Sequence, residues 1–202
     1  MERIAAPPVF IGQSDIRAGD EHALRPEEAL AFAAAVESVR RQSGTARLIA
    51  RSLMRLMGEP AATILRSASG APVWPSGIVG SLAHDDTAAV AAIGFAGDVA
   101  AIGIDIEPDD PLPTELIAVV ATATERRRYS PAILASRRLF VAKEAVFKAT
   151  FPMDATFLDF HDIEVDLDAN VATVSSGRRV NVQIRPGDRL VALAHIDGEP
   201  SA

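Results

Sequence analysis

The spacing of apolar positions changes several times along the chain, and each change predicts an element. Pro7 to Ile16 reads as a short apolar strand. Arg25-Pro26-Glu27-Glu28 then opens a helical pattern that runs to about Met57, with Gly58 and Pro60 beyond its end. Proline near the start, acids in the first turn and glycine past the end are the punctuation a helix needs. Ser43-Gly44 predicts a break in this pattern, and hence two consecutive helices. The stretch from Ser67 to Gly77 is a loop by its Ser, Gly and Pro content. Strands are expected at Ile78–Ala83, at Ala88–Phe95 and, after the Gly97-Asp98 turn, at Val99–Glu107.

A Pro-Asp-Asp-Pro-Leu-Pro loop at residues 108–113 opens the second half. Ser130-Pro131 supplies a helix cap and a proline at the first helical position, predicting a helix continuing over Ala132–Thr150. After Pro152 the pattern alternates: Ile163, Val165 and Leu167 share one face, and Val180, Val182 and Ile184 share another. The Pro186-Gly187-Asp188 turn leads into a last strand, Leu190–Ile196. Both halves thus place a helix first and antiparallel strands later. The expected fold is α/β in the α+β sense: two similar halves, residues 1–108 and 109–202, each a small, mainly antiparallel sheet packed with a long helix.

Composition narrows the function classes. With 202 residues, 49% of them hydrophobic, the chain can bury a core without covalent staples. It has no cysteine, which excludes disulfides and cysteine-rich zinc sites and fits a reducing, cytoplasmic setting. Met1–Arg17 lacks a basic flank followed by an apolar run, so no secretion signal is expected. The longest apolar stretch, Ala88–Gly97, is stopped by Asp98 and is too short to cross a bilayer, so no membrane partner is expected. A formal net charge of −7 argues against general nucleic-acid binding.

Four constellations carry candidate chemistry. In Gly103-Ile104-Asp105-Ile106-Glu107, strand alternation turns Ile102, Ile104 and Ile106 to a core and leaves Asp105 and Glu107 side by side on the other face with Gly103, so that no bulk is expected beside the carboxylates. Adjacent like charges there call either for solvent or for a hard cation with oxygen ligands. In the helical segment 140–148, Phe140, Glu144, Phe147 and Lys148 fall on nearly one stripe. A surface Glu–Lys pair, worth about 0.3–0.5 kcal/mol, is one reading; a metal-ligating Glu144 with a phosphate-binding Lys148 is the other. Arg40, Arg47, Arg51 and Arg55 form a basic stripe with Arg41 and Arg66 nearby, suited to phosphates or simply to a helix C-terminus. The last is Gly80-Ser-Leu-Ala-His84, at a strand end after Trp74-Pro75.

In order and separation, these segments resemble the 4′-phosphopantetheinyl transferases, in the branch that activates enterobactin and other siderophore or polyketide synthases. The matching pieces are Arg40-Arg41 with Arg47, Gly70-Ala-Pro-Val-Trp-Pro75, Gly80-Ser-Leu-Ala-His84, Gly103-Ile-Asp-Ile-Glu107 and Ala142-Lys-Glu-Ala-Val-Phe-Lys-Ala149. The resemblance implies a pseudo-twofold pair of α/β halves with coenzyme A in the cleft between them. It implies that the 4′-phosphopantetheine arm of coenzyme A passes to a serine of an acyl or peptidyl carrier protein, leaving adenosine 3′,5′-bisphosphate. Asp105, Glu107 and Glu144 would hold magnesium on the diphosphate, which Lys148 would also contact. Arg40, Arg47, Arg66, Ala83 and His84 would hold the phosphates and the adenosine end. Glu144 would take the serine proton, directly or through water. An internal pseudo-dimer is expected to be a monomer.

The chain departs from the family at three places. Ala83 stands where Ser or Thr usually precedes the histidine, Ser69 and Ala71 occupy a loop that often carries a lysine, and Asp85-Asp86 follow His84. A catalytically degenerate coenzyme A- or partner-binding relative, or a magnesium-dependent phosphohydrolase, would share the acidic pair. For docking an acidic carrier, Arg126-Arg127-Arg128 and Arg137-Arg138 are the candidate cations.

Overall fold

The computed structural model describes residues 9–198, so Pro7 and Pro8 of the expected first strand lie outside the described residues. The described residues divide into two compact units, one of residues 9–102 with Asp197 and Gly198, the other Gly103–Ile196. The division falls inside a strand, so Asp105 and Glu107 belong to the second unit.

In the first unit, β1 (Phe10–Asp15), β4 (Ile78–His84) and β5 (Ala88–Phe95) form an antiparallel sheet in the order β1-β5-β4. A two-residue ladder joins β2 (Leu65–Arg66) to β3 (Pro72–Val73), inside the stretch expected to be loop. Helices α1 (Pro26–Leu30) and α2 (Glu37–Leu56) precede them. Ala46, Ile49, Ala50, Leu53 and Met54 of α2 pack on Ala89, Ala91 and Ile93 of β5. The end of α2 is as the sequence suggested. Gly58 adopts φ 82°, Gly58 N–H donates to Arg55 O (3.1 Å) and Glu59 N–H to Met54 O (2.9 Å), the glycine-terminated helix stop.

The expected break at Ser43-Gly44 is not there: α2 runs through it, and the interruption lies at residues 31–36. Gly44 has a tertiary reason instead. A Cβ on it would sit 2.0 Å from the Asp20 carbonyl oxygen, so its bare backbone admits the 3-10 turn Asp20–Ala23 against the helix. Thr45 Oγ1 fastens that contact by donating to Asp20 Oδ2 at 2.6 Å.

The strand β6 (Val99–Pro108) leads into the second unit, whose sheet has the order β6-β10-β9-β8-β7, with β7 Ile163–Asp166, β8 Val171–Val174, β9 Arg179–Arg185 and β10 Arg189–Asp197. The pairs among β7, β8, β9 and β10 are antiparallel. Helices α3 (Thr114–Val120) and α4 (Ala123–Arg128) occupy a region for which the sequence pattern predicted no element, and β8 was equally unmarked. Ser130 caps a helix as expected, but α5 (Pro131–Leu134) lasts one turn and α6 begins afresh at Arg138, running to Asp154. Leu139, Val141, Ala142, Ala145, Val146 and Ala149 of α6 join the buried cluster with Ile163, Val165, Val180 and Val182. Among the described residues no helix is long and apolar enough to cross a membrane.

Each unit contains the same buried ionic device. Glu28, third residue of α1, accepts hydrogen bonds from Arg25 N–H (2.9 Å) and Ile64 N–H (2.8 Å) and pairs with Arg51 of α2 (2.9 Å). Glu125, third residue of α4, accepts from Thr122 N–H (2.8 Å) and Val165 N–H (2.8 Å) and pairs with Lys143 of α6 (2.7 Å). Both glutamates cap a short helix, receive one amide from a distant segment (Ile64, just before β2, and Val165, within β7) and bind a cation from the long helix. The similarity of halves is thus carried by charge placement as well as by element order.

Candidate active site

Along β6 the sides alternate as the sequence requires. Ile102, Ile104 and Ile106 are buried at 2%, 0% and 1% exposure. The opposite side meets α6. A Cβ on Gly103 would lie 1.9 Å from Ala145 O and 2.5 Å from Ala149 N, so the helix backbone rests directly on this glycine. Gly103 therefore brings the helix in rather than leaving room for a ligand. Two residues on, Asp105 meets Lys148: Nζ donates to Oδ1 at 2.6 Å. Gly103→Ala should force the helix away, costing about 1–3 kcal/mol as overpacking does and lowering activity without touching a ligand. The urea unfolding midpoint checks the first effect and the transfer rate the second.

Asp105 is 6% exposed, and its second oxygen, Oδ2, is buried with no hydrogen-bond partner. Burial pushes its carboxyl above the usual range, against the opposing pull of Lys148 and the Ile106 amide. Glu144 is half-buried; desolvation raises its carboxyl first, Asp105 adds repulsion, and Glu107 contributes more weakly in the same direction. Glu107 accepts a hydrogen bond from Arg137 Nη1 at 2.9 Å. Of the three acids predicted to act together, Glu144 therefore feels the charge of both others. They do not converge into a ready-made cage: among the described residues no three His, Asp or Glu side chains are grouped so as to hold a metal ion. Lys148 and Arg137 hold two of the three carboxylates. The donors still fit a hard dication, since all are carboxylate oxygens, one is buried and unpartnered, and the repulsion Glu144 feels from Asp105 and Glu107 calls for positive charge.

The first unit contains the other predicted residues. Arg47 is buried, donating from Nε to Ile64 O (2.8 Å) and from Nη1 to Ser43 O (3.3 Å), and desolvation lowers its pKa. Its guanidinium lies 4.9 Å from the centre of the Phe32 ring, and that of exposed Arg66 lies 5.5 Å from the same centre. Arg66 also donates to Gly70 O at 3.3 Å and borders an open cavity of about 330 Å³ lined with Ser67, Ser69 and Gly70. Arg40 is tied to Ala35 O at 2.5 Å, and Arg41 binds Glu21 and Glu37. Arg51, in the same stripe, is committed to Glu28, whereas Arg55 is exposed. His84 stands exposed at the end of β4, while the Ala83 side chain faces the interior at 5% exposure. Asp85 is occupied by its own turn, accepting from Thr87 N–H (2.6 Å) and Ala88 N–H (2.7 Å).

Of the arginines considered for docking, Arg126 donates to Ala121 O (2.9 Å), Arg128 pairs with Asp166 (2.8 Å) and Arg137 with Glu107. Arg127 and Arg138 remain exposed. Sequence reasoning missed Glu125, although Thr122-x-x-Glu125 is a legible helix-start box. It also gave Lys143 no role, because nothing local shows that this lysine is fully buried.

Two family models match the chain. Residues 26–94 match the 4′-phosphopantetheinyl transferase N-terminal domain, and residues 101–189 match the 4′-phosphopantetheinyl transferase superfamily. The chain is 37% identical over 173 residues to the 4′-phosphopantetheinyl transferase Svp of Streptomyces mobaraensis, covering 83% of this chain and 70% of that protein. It is 37% identical over 169 residues to the 4′-phosphopantetheinyl transferase PptT of Mycobacterium tuberculosis, covering 82% and 74% respectively. Enterobactin synthase component D of Escherichia coli is 37% identical over 99 residues, 46% of each chain.

Proposed function

Because this chain belongs to the 4′-phosphopantetheinyl transferase superfamily, we propose that Asp105, Glu107, Glu144 and Lys148 are the residues with which it transfers the 4′-phosphopantetheine of coenzyme A to a carrier protein. The observation that carries this assignment is the buried Asp105 Oδ2, which has no partner although Lys148 and the charge of Glu144 lie beside it. A desolvated carboxylate oxygen left unpaired is costly, and a ligand that accepts it offsets that cost.

Phosphoryl transfer depends on positioning and charge stabilisation more than on covalent help. The carrier serine Oγ attacks the phosphorus bearing the pantetheine arm, the bond from that phosphorus to the bridging oxygen breaks, and adenosine 3′,5′-bisphosphate leaves with the bridging oxygen. Asp105, Glu107 and Glu144 would hold magnesium, whose chemistry when bound is to draw charge from the diphosphate oxygens. Glu144 would accept the serine proton; its raised affinity for a proton, caused by burial and by Asp105, suits a base that must hold what it takes. Lys148 would turn its ammonium from Asp105 to the phosphate oxygens, adding a second positive contact. In the first unit, Arg66 and Arg47 over Phe32, with Arg40, His84 and the backbone at Ala83, are the candidates for coenzyme A phosphates and adenosine.

The test is incubation with coenzyme A, magnesium and apo-carriers of fatty-acid, polyketide and peptide type, read by intact mass. At least one carrier should gain a single phosphopantetheine, and Asp105→Asn should slow that gain about 100-fold or more. Phosphopantetheine released without any carrier would identify a hydrolase instead. Coenzyme A binding with no carrier modified would identify a degenerate relative.

A further inference from the structure

Both acids of β6 are neutralised by cations carried on, or just before, one helix. Lys148 of α6 holds Asp105 at 2.6 Å, and Arg137, immediately before α6, holds Glu107 at 2.9 Å. The two cations differ in how well they are satisfied. Arg137 Nε is buried and has no hydrogen-bond acceptor. The guanidinium, a quarter exposed overall, therefore has one buried nitrogen left unbonded, and Glu107 supplies the opposite charge beside it. Such a cation is held in place by one carboxylate and is open to exchange when that carboxylate finds a stronger partner.

We propose that Arg137 is a resident counter-cation: it occupies Glu107 while the acidic cluster lacks a divalent ion, must give up that carboxylate when one binds, and so weakens ion binding before coenzyme A arrives. This rests on the assignment of Asp105, Glu107 and Glu144 as the ion's oxygen donors. Two effects have the same sign. The guanidinium competes for the Glu107 lone pairs, and its positive charge repels an incoming dication. Once displaced, it offers free donors to anionic groups beside the cluster, so that ion and coenzyme A favour each other's binding. Arg137 is then a positioning residue for the acid pair, with a role distinct from that of a surface arginine facing a partner.

A purely structural role predicts the opposite result. If Arg137 only fixed Glu107 in a ligating pose, its removal would weaken ion binding. The experiment titrates magnesium chloride into the protein without coenzyme A, by calorimetry and by the rise in Tm. Arg137→Gln should bind magnesium about 5-fold more tightly than the unaltered protein, the scale of one partly exposed ion pair. Arg137→Met, which keeps the aliphatic stem, should do the same and serves if the glutamine variant fails to fold. Arg137→Lys, which keeps the charge, should stay within about twofold. Equal or weaker binding in the neutral variants overturns the inference. Asp105→Asn separates the two levels: if it binds magnesium as well as the unaltered protein does, the donor assignment itself falls. If it abolishes binding while the Arg137 variants change nothing, only the counter-cation falls.

Discussion

Glu144→Gln is expected to lower kcat for carrier modification by about 10²–10⁴-fold while leaving the fold intact or slightly more stable. The two halves of this expectation come from one fact. Glu144 is half-buried, and both desolvation and the neighbouring Asp105 and Glu107 disfavour its charge. A carboxylate in that position destabilises the folded chain near neutral pH, since its proton affinity is higher folded than unfolded. Glutamine keeps the shape and removes the repulsion, so Tm should hold or rise. It cannot accept the serine proton and is a poorer donor to a hard ion, so the rate should collapse. A residue kept for structure would behave in reverse, losing stability first. Intact-mass rates with saturating coenzyme A, set beside thermal unfolding of the same preparation, read both. Retention of more than a tenth of the rate would remove Glu144 from the chemistry.

Much of the fold was legible where the signal is local. The strands β4, β5 and β6 match their expected bounds closely because apolar runs and the turn residues between them mark them along the sequence itself. The glycine stop of α2 was visible for the same reason. Glycines inside elements misled. Gly44 reads as a helix breaker and Gly103 as empty space, yet each is where a second backbone segment touches, Asp20 in one case and Ala145 in the other. The short helices α3 and α4 offer too few turns for a periodic pattern. At the site, the identities of Asp105, Glu107, Glu144 and Lys148 came from motif order, whereas their present partners came only from coordinates. The Asp105–Lys148 and Glu107–Arg137 pairs join residues 43 and 30 positions apart, and sequence pattern cannot say which cation takes which acid. The sequence accordingly offers Arg137 as a docking cation and carries no mark that sets Lys143 apart beside Glu144.

Lys143→Met should be the most damaging single change to stability, about 3–5 kcal/mol, because it removes one partner of a buried pair. Lys143 and Glu125 side chains are both fully buried. Burial lowers the lysine's pKa, and Glu125 opposes that shift, so its ammonium depends on the partner. The ammonium also donates to Val120 O (2.7 Å) and Phe160 O (2.9 Å), tying α3 and the chain after α6 to the helix that carries Glu144. Methionine fills the stem's volume but leaves Glu125 a buried charge, with only the Thr122 and Val165 amides and no cation. Neutralising the glutamate as well should restore much of the loss: Lys143→Met with Glu125→Gln is expected to be more stable than Lys143→Met alone, a positive coupling in a double-mutant cycle. Hydrogen exchange read by mass spectrometry locates the damage. Peptides covering residues 139–166 should lose protection in Lys143→Met, while those covering residues 45–54, anchored by the separate Glu28–Arg51 pair, should keep theirs. If the single variant unfolds at the same urea concentration as the unaltered chain, the pair does not hold the second unit together.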